Sequence, residues 1–184
     1  GANNIAIGRQ ALFNNTTASN NTAVGYQSLY ANTTGTNNVA LGYSAGAALT
    51  TGSSNILIGS NTGDALTTAN ENTAVGHFAM SNNVLGAKNV AIGTSTLSAT
   101  NPATAVDMYN TAVGFSAGNA VTTGTYNTLI GGLAGDAITT GVRNTTTGYG
   151  SGGQLTTGSY NVALGMSTLA ATTTQSNNTA VGYE

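Results

Sequence analysis

Short segments in which apolar and small residues alternate recur along the whole chain. Each begins with Asn and ends with Gly, as in Asn21-Thr22-Ala23-Val24-Gly25. The second and fourth residues are mostly β-branched or aliphatic and the third is mostly Ala, so the second and fourth side chains share one face of a strand and the third lies on the other. This pattern, bounded by Asn and Gly, predicts a short β-strand. The fourth residue is aliphatic in every segment except one, which has Thr147, so we expect that repeat to be the weakest.

The Asn-x-x-x-Gly segment occurs eleven times. Nine of the ten intervals between its glycines are 17 residues long, and one, from Gly93 to Gly114, is 21. A fixed period of this kind predicts a solenoid with one coil per repeat. We number the coils 1 to 11 from Asn4 and count positions within a coil from its Asn as position 1. The sequence therefore predicts one all-β domain over 1–184, a parallel β-solenoid of about eleven 17-residue coils.

Positions 1 and 5 are predicted to form structural columns. Gly at position 5 permits a positive φ or the close approach of the next coil. Asn at position 1 tolerates the left-handed conformation, and stacked Asn amides can hydrogen-bond along the column as a ladder. The predicted ladder residues are Asn21, Asn38, Asn55, Asn72, Asn89, Asn110, Asn127 and Asn161, with Gly25, Gly42, Gly59, Gly76, Gly93, Gly114, Gly131 and Gly165.

Positions 9 and 12 exchange one large side chain between them. Where position 9 is Leu or Met, position 12 is Asn or Thr, as for Leu29 and Asn32. Where position 9 is Gly, position 12 is Leu, Ile or Val, as for Gly63 and Leu66. The exchange predicts one interior site that is filled from either of two backbone positions. Thr-Thr-Gly at positions 13 to 15 predicts a second strand and a turn, so each coil is expected to contain two short strands.

The 21-residue coil has four extra residues within 101–108. Pro102, the only proline, cannot donate to a central ladder and belongs on a loop or an edge. We expect the segment to bulge from one coil as a loop while the stack continues. Both ends of the chain fall inside the repeat pattern without a polar capping segment, so we expect a fragment of a longer fibre.

Composition narrows the classes of function. Charged residues make up 4% of the chain and the net charge is −2, which gives no basic surface for nucleic acid or a membrane. No run of 18 apolar residues is present, so no membrane insertion is expected in this segment. Apolar residues make up 40% and recur at fixed phase, which favours buried columns over disorder.

The titratable residues do not form a catalytic pattern. Acid–base catalysis needs paired groups, and the two carboxylates that share a coil position, Asp64 and Asp136, lie four coils apart. His77 occupies position 6, which is aromatic in several coils, and no Cys or second His is available to complete a zinc site. We expect no enzyme activity, no cofactor and no metal.

Two columns of aromatic residues are candidates for surface recognition. Aromatic faces pack well on sugars, so the columns could bind a glycan, or they could shield the roll or a contact between chains. The candidate residues are Tyr26 and Tyr43 at position 6, and Tyr109, Tyr126 and Tyr160 at position 17.

The segments N-T-A-V-G-Y-Q-S from Asn21, N-V-A-L-G-Y-S-A from Asn38 and N-V-A-I-G-T-S-T from Asn89 resemble known repeats. They are similar to the head repeats of YadA-like trimeric autotransporter adhesins, N-S-V-A-I-G-x-x-S, and equally to the collar and shaft repeats of phage tail fibres. The resemblance covers essentially the whole chain. It implies a left-handed parallel β-roll, three chains side by side, and a structural or adhesive task at a cell or virion surface, with a host receptor or glycan as partner.

Two further observations bear on function. Each coil offers only two to four sizeable apolar side chains, too few to stabilise one isolated roll, which favours a homotrimer. Ice binding is the alternative from another class, because regular Thr columns on a flat solenoid can organise water. Against it, the threonines at positions 13 and 14 are adjacent and so point to opposite faces.

Overall fold

The computed structural model describes residues 1–184 and contains β-strands but no helix, hence none that could cross a membrane. One three-residue strand occupies positions 2 to 4 of every coil, and two strands of two residues lie beside the 21-residue coil. In chain order the strands are β1 (Ile5–Ile7), β2 (Thr22–Val24), β3 (Val39–Leu41), β4 (Ile56–Ile58), β5 (Thr73–Val75), β6 (Gly86–Ala87), β7 (Val90–Ile92), β8 (Val106–Asp107), β9 (Thr111–Val113), β10 (Thr128–Ile130), β11 (Thr145–Thr147), β12 (Val162–Leu164) and β13 (Thr179–Val181).

The three-residue strands form one parallel sheet of eleven strands, in chain order. Neighbouring strands are in register at the coil period, so that Ala23 of β2 lies beside Ala40 of β3. The hydrogen bonds between coils follow the long axis of the stack; the N–H of Thr22, for example, donates to the C=O of Asn38 at 2.8 Å. The predicted all-β parallel solenoid with 17-residue coils is confirmed.

The interior is narrow, and the small residue of each strand faces it. Position 3 points inward: Leu57 is fully buried, whereas Ile56 and Ile58 on either side of it are 41% and 37% exposed. The aliphatic position-4 column is therefore an outer column, and Thr147 is exposed. The reason given above for a weak repeat is thus wrong. The irregular interior residue of that coil is Thr146, which is fully buried with a hydroxyl that has no hydrogen-bond partner.

The second half of each coil is a series of turns, and the predicted second strand at Thr-Thr is wrong. Residues at positions 7, 9 and 17 have positive φ, as at Ser44 (52°), Gly46 (60°) and Ser54 (60°). Left-handed residues spaced this closely interrupt an extended segment and turn the chain back on itself. The position-13 threonine instead bridges coils, since the hydroxyl of Thr50 donates to the C=O of Thr67 at 3.1 Å.

The exchange between positions 9 and 12 corresponds to one interior site. A Cβ placed on Gly63 would lie 2.8 Å from Cδ1 of Leu66, so the position-12 side chain fills the space above the position-9 glycine of its own coil. Leu66 from position 12 and Leu29 from position 9 are both fully buried. In the coil that uses Leu29, Asn32 donates its amide to the C=O of Gly35 at 3.0 Å and closes the turn.

The insertion 101–108 lies partly outside the coil and partly within it. Residues 103–107 are exposed, and Val106–Asp107 pair with Gly86–Ala87 as a short parallel ladder. Pro102 is buried, and Met108 is fully buried with its Sδ over Gly86, where a Cβ would lie 2.5 Å away. Only the middle of the segment is therefore a surface loop, and Met108 belongs to the interior.

Deleting residues 103–106 is expected to leave the solenoid folded, because it restores a 17-residue coil and retains Met108. Met108→Ala, by contrast, is expected to cost about 2–5 kcal/mol, as large-to-small changes at buried sites do. The alanine itself suits the position, since Ala87 stands there in the preceding coil. Urea denaturation of both variants checks the prediction. If the deletion variant loses cooperative unfolding while Met108→Ala has a free energy of unfolding close to that of the parent, the loop and not Met108 supports this coil.

Candidate interaction surfaces

The Asn column lies inside the stack, whereas the position-5 Gly column is partly exposed at its edge. The amide of Asn38 donates to the C=O of Gly52 in its own coil at 2.9 Å, and its Oδ1 accepts the backbone N–H of Asn55 at 2.9 Å and the Asn55 amide at 3.1 Å. Asn38 and Asn55 are fully buried. The left-handed residue is not this Asn but the one before it at position 17, such as Asn37, with φ of 59°. The Asn column therefore holds the coils together and, being buried, presents no side chain to a partner.

The outer side of the sheet is a largely apolar surface, which we call the strand face: the residues just after the Asn and just before the Gly of each coil, at positions 2 and 4 of all eleven coils. Every position-2 residue is Ile, Val or Thr, and every position-4 residue except Thr147 is Ile, Val or Leu. No charged residue lies on it. At about 4.8 Å per strand it is roughly 50 Å long. Its most exposed large side chains are Ile5, Ile7, Ile56, Ile58, Ile92, Ile130, Leu164 and Val181.

The tyrosines at position 6 form a short stack near the start of the chain. The rings of Tyr26 and Tyr43 are 5.2 Å apart between centroids and 14° from parallel. The guanidinium of Arg9, which belongs to the preceding coil, lies 5.9 Å from the centroid of the Tyr26 ring. Of the aromatic residues farther along this column, Phe115 and Tyr149 are separated by Gly132 and do not stack.

At position 17 the three tyrosines lie between or next to two cations, in the order Lys88, Tyr109, Tyr126, Arg143 and Tyr160. Tyr109 and Tyr126 stack with centroids 5.3 Å apart, and Lys88 lies 5.4 Å from the Tyr109 centroid. Arg143 lies between two rings, 5.0 Å from Tyr126 and 5.5 Å from Tyr160, and donates to the Tyr160 hydroxyl at 2.9 Å. Both faces of Tyr109 and Tyr126 and one face of Tyr160 are covered by another ring or by a cation, so these residues offer mainly ring edges and hydroxyls to solvent. This weakens the expectation that sugars pack on these faces.

The position-17 column ends in a triad at the insertion. Lys88 Nζ lies 2.6 Å from Asp107 Oδ2 and 3.3 Å from the hydroxyl of Tyr109. The hydrogen bond to Asp107, followed by the one to Tyr109, raises the pKa of Lys88. Both charged side chains are partly exposed, so the pair fixes the loop against coil 5 without contributing much stability.

A groove of about 450 Å³ lies beside this triad. Residues at positions 14 to 16 of coils 4 and 5 form one side and the exposed part of the insertion forms the other. We call it the insertion groove; its lining residues are Thr68, Ala69, Asn70, Leu85, Ala87, Ala105, Val106 and Asp107.

The remaining titratable residues are dispersed. His77 is exposed and its ring contacts Phe78, with centroids 4.0 Å apart. No three His, Asp or Glu side chains converge as metal ligands would. Burial raises the pKa of Asp64 and of Asp136, partly offset by backbone N–H groups. The Oδ1 atom of Asp64 is buried and has no hydrogen-bond partner.

Neither the scan against protein-family models nor the searches against curated proteins and solved structures found a match.

The insertion groove and the Lys88–Asp107 pair were not anticipated from the sequence. A signal was present, because coil 5 has Val84-Leu85 where most coils have Thr-Thr, and the coil after it carries the insertion. An apolar pair at positions 13 and 14 next to the longest loop indicates that the two segments cover each other.

Asp64→Asn is expected to stabilise the protein at neutral pH. The pKa of the Asp64 carboxyl is higher in the folded state than in the unfolded state. The protonated carboxyl therefore contributes its full stabilisation at pH values below the unfolded-state pKa, and this stabilisation is lost as the pH rises through the folded-state pKa. An amide avoids that loss and can donate as Asn119 does at the same coil position, to the C=O of Ser95 at 3.0 Å. We expect no difference from the parent near pH 3 and a gain of about 0.5–1.5 kcal/mol at pH 7.

Urea denaturation at the two pH values measures this gain. Glu71→Gln is the control, because it removes the same charge from an exposed side chain. An equal gain from both variants would assign the effect to net charge and not to the burial of Asp64.

Proposed function

We propose that this chain is a non-catalytic structural and adhesive rod in which three copies pack side by side through their strand faces, at a cell or virion surface. The single observation that carries the proposal is the strand face: an uncharged surface of Ile, Val, Leu and Thr side chains that runs the length of the isolated chain. Contiguous apolar patches on monomeric proteins rarely exceed a few hundred Å², and larger ones indicate an interaction surface.

The interior of one coil supports the same proposal. Coil 4, for example, buries Leu57 and Leu66 as its large apolar side chains, while Ile56 and Ile58 remain in solvent. Burying the strand face between chains would add the second apolar layer that a narrow roll lacks, since small cores give little net stability. The resemblance of the repeats to adhesin heads and tail-fibre shafts favours a trimer and a surface location.

Lysines on the strand face are expected to dissociate the assembly. The triple variant Ile58→Lys, Ile92→Lys, Ile130→Lys places charges in the proposed contact, where unpaired burial costs several kcal/mol per charge. We expect the parent to sediment as three chains of 18.1 kDa and the variant as one. Sedimentation equilibrium measures both masses.

The matched control is Thr51→Lys, Thr123→Lys, Thr140→Lys, which adds the same charge to the exposed position-14 column. It should keep the mass of the parent. A folded parent that sediments as a single chain would overturn the assembly, as would a control that dissociates equally.

Ice binding remains a second candidate, on a different surface from the one considered in the sequence. The strand face is regular, and six of its eleven position-2 residues are Thr: Thr22, Thr73, Thr111, Thr128, Thr145 and Thr179. This function requires the face to stay open to water. Thermal hysteresis is measured in a sample that sediments as a single chain. Hysteresis that Ile92→Lys abolishes would favour ice binding over the rod, and an absence of hysteresis would exclude ice binding.

A further inference from the structure

The insertion groove is the one place where the surface of the stack departs from its repeat. Position 14 is Thr in eight of the ten coils that reach it, and Leu85 replaces it in coil 5. Leu85 and Ala87 form an apolar side of the groove, and Val106 of the insertion faces them from the loop. The repetitive solenoid gains a groove here that no other coil has.

Three polar side chains of the groove have unused hydrogen-bonding atoms. The hydroxyl of Thr68 makes no hydrogen bond within the chain, and the Nδ2 of Asn70 is free although its Oδ1 accepts the N–H of Ser53 at 2.7 Å. Asp107 uses Oδ2 for Lys88 and leaves Oδ1 free. The groove thus offers a hydroxyl, an amide donor and a carboxylate acceptor around an apolar patch.

This combination fits a saccharide. Hydroxyl groups on a pyranose alternate donors and acceptors around its ring, while its C–H faces pack on apolar side chains such as Leu85 and Val106. A volume of about 450 Å³ falls in the range of small-molecule sites and suits one or two sugar rings. The polar groups would fix the orientation of the ring and the apolar groups would bury its C–H face.

The charge of the groove selects among saccharides. Asp107 is its only charged lining residue, and Lys88, which pairs with it, is not among the residues that line the groove. The Lys88–Asp107 pair leaves the groove without net positive charge, so a carboxylated or sulfated sugar finds no unpaired cation there, whereas a neutral sugar can donate a hydroxyl to the free oxygen of Asp107. We propose that the insertion groove binds a neutral saccharide, one or two residues long. This rests on the proposed adhesive function and gives that function a site.

Methyl chemical shifts test the proposal in the full chain. Protein with labelled Leu and Val methyl groups is titrated with maltose, lactose, cellobiose and N,N′-diacetylchitobiose, and with digalacturonic acid as the acidic counterpart. We expect at least one neutral disaccharide to shift the methyl signals of Leu85 and Val106 saturably. Digalacturonic acid is expected to bind more weakly than that disaccharide.

Two variants remove the groove while keeping the coil. Leu85→Thr restores the usual position-14 residue, and deletion of 103–106 removes the facing loop; each is expected to weaken binding at least tenfold. Thr140→Leu, the same exchange in reverse on coil 8, is the control and should leave the affinity unchanged. Asp107→Asn is expected to let digalacturonic acid bind as well as the neutral sugar does.

The outcomes separate this proposal from the rod itself. Absence of any saturable shift with the neutral disaccharides, equal affinity in Leu85→Thr and the parent, or tighter binding of digalacturonic acid to the parent would each overturn the saccharide site. The mass of the same samples is measured by sedimentation. A trimer without saccharide binding contradicts only the site, and binding by a single chain contradicts only the assembly.

Discussion

Gly131→Ala is expected to be among the most destabilising single substitutions in this protein. Gly131 has φ of 131°, a conformation that L-residues rarely adopt, and a Cβ there would lie 2.6 Å from the carbonyl oxygen of Gly148 in the next coil. Strained backbone costs about 1–3 kcal/mol and overpacking about 1–3 kcal/mol. We therefore expect a loss of about 2–6 kcal/mol in the free energy of unfolding.

The clash cannot be relieved by moving a side chain, because both sides are backbone. Gly131 donates its N–H to the C=O of Val113 at 2.8 Å, and Gly148 donates to the C=O of Ile130 at 2.8 Å, so a shift would lengthen the ladder between coils. Gly132→Ala is the matched control. Gly132 has no positive φ, and its nearest neighbour to a new Cβ is a ring carbon of Tyr149 at 3.4 Å.

Urea denaturation of the two variants and the parent gives the comparison. Gly132 is partly exposed and has room for a methyl group, so Gly132→Ala should lie within about 0.5 kcal/mol of the parent, as surface substitutions usually do. Similar midpoints for both variants would mean that neighbouring coils are not in the close contact that the structure shows.

The second large effect concerns the interior site that positions 9 and 12 share. Leu29→Gly alone is expected to cost about 2–5 kcal/mol, because it leaves a cavity in the fully buried stack. Asn32→Leu alone is expected to cost about 1–3 kcal/mol, because it adds a second large side chain to a filled site. The double variant moves the leucine from one backbone position to the other and should return to within about 1 kcal/mol of the parent.

Two details of coil 2 favour recovery in the double variant. Leu29 has φ of 50°, which Gly adopts at less cost, and Asn32 buries an Oδ1 that has no partner. Coil 3 already has the expected arrangement, with Gly46 at position 9 and Leu49 at position 12. The double-mutant cycle, measured by urea denaturation, should give a coupling of several kcal/mol. Additive costs would show that the two positions fill different spaces.

The repeat made part of this structure predictable. Eleven copies in phase reveal which positions vary together. Comparing the coils of one chain is therefore enough to predict the period, the interior site that Leu29 fills from position 9 and Leu66 from position 12, and the close approach of coils at Gly131. The Asn ladder followed from the chemistry of the amide, since stacked amides can donate and accept along one column.

The direction in which the strand faces could not be predicted from its alternation. Usual patterning buries β-branched residues, yet here Ala40 lies inside and Val39 and Leu41 lie outside. A narrow coil has room for one large side chain from positions 9 or 12, which leaves space only for a small one at most position-3 sites. The alternation of large and small residues is visible in the sequence, but the width of the coil determines which of the two sets of side chains faces the interior.

The second half of the coil was misread for a different reason. Left-handed conformation is usually signalled by Gly, Asn or Asp, but here it also falls on Gln27, Leu29 and Ser44. The threonines at positions 13 and 14 have high β-propensity, and that propensity was overridden by the turns on either side of them. The insertion groove depends on contacts between the segments at 84–87 and 105–107, which lie in different coils.

The register of the stack also sets how such a gene can change in length. Outside the 21-residue coil, every coil contacts its neighbours at a separation of 17 residues, so adding or removing a whole 17-residue coil recreates the same backbone pairing for the others. Inserting or deleting a single residue within one of the strands β1–β5 would instead turn the inner side chains of that strand outward. Folded length variants of this region are therefore expected to differ by whole coils, which means by three nucleotides for each of 17 residues. The solenoid can thus lengthen by duplication of a coil without a new packing arrangement.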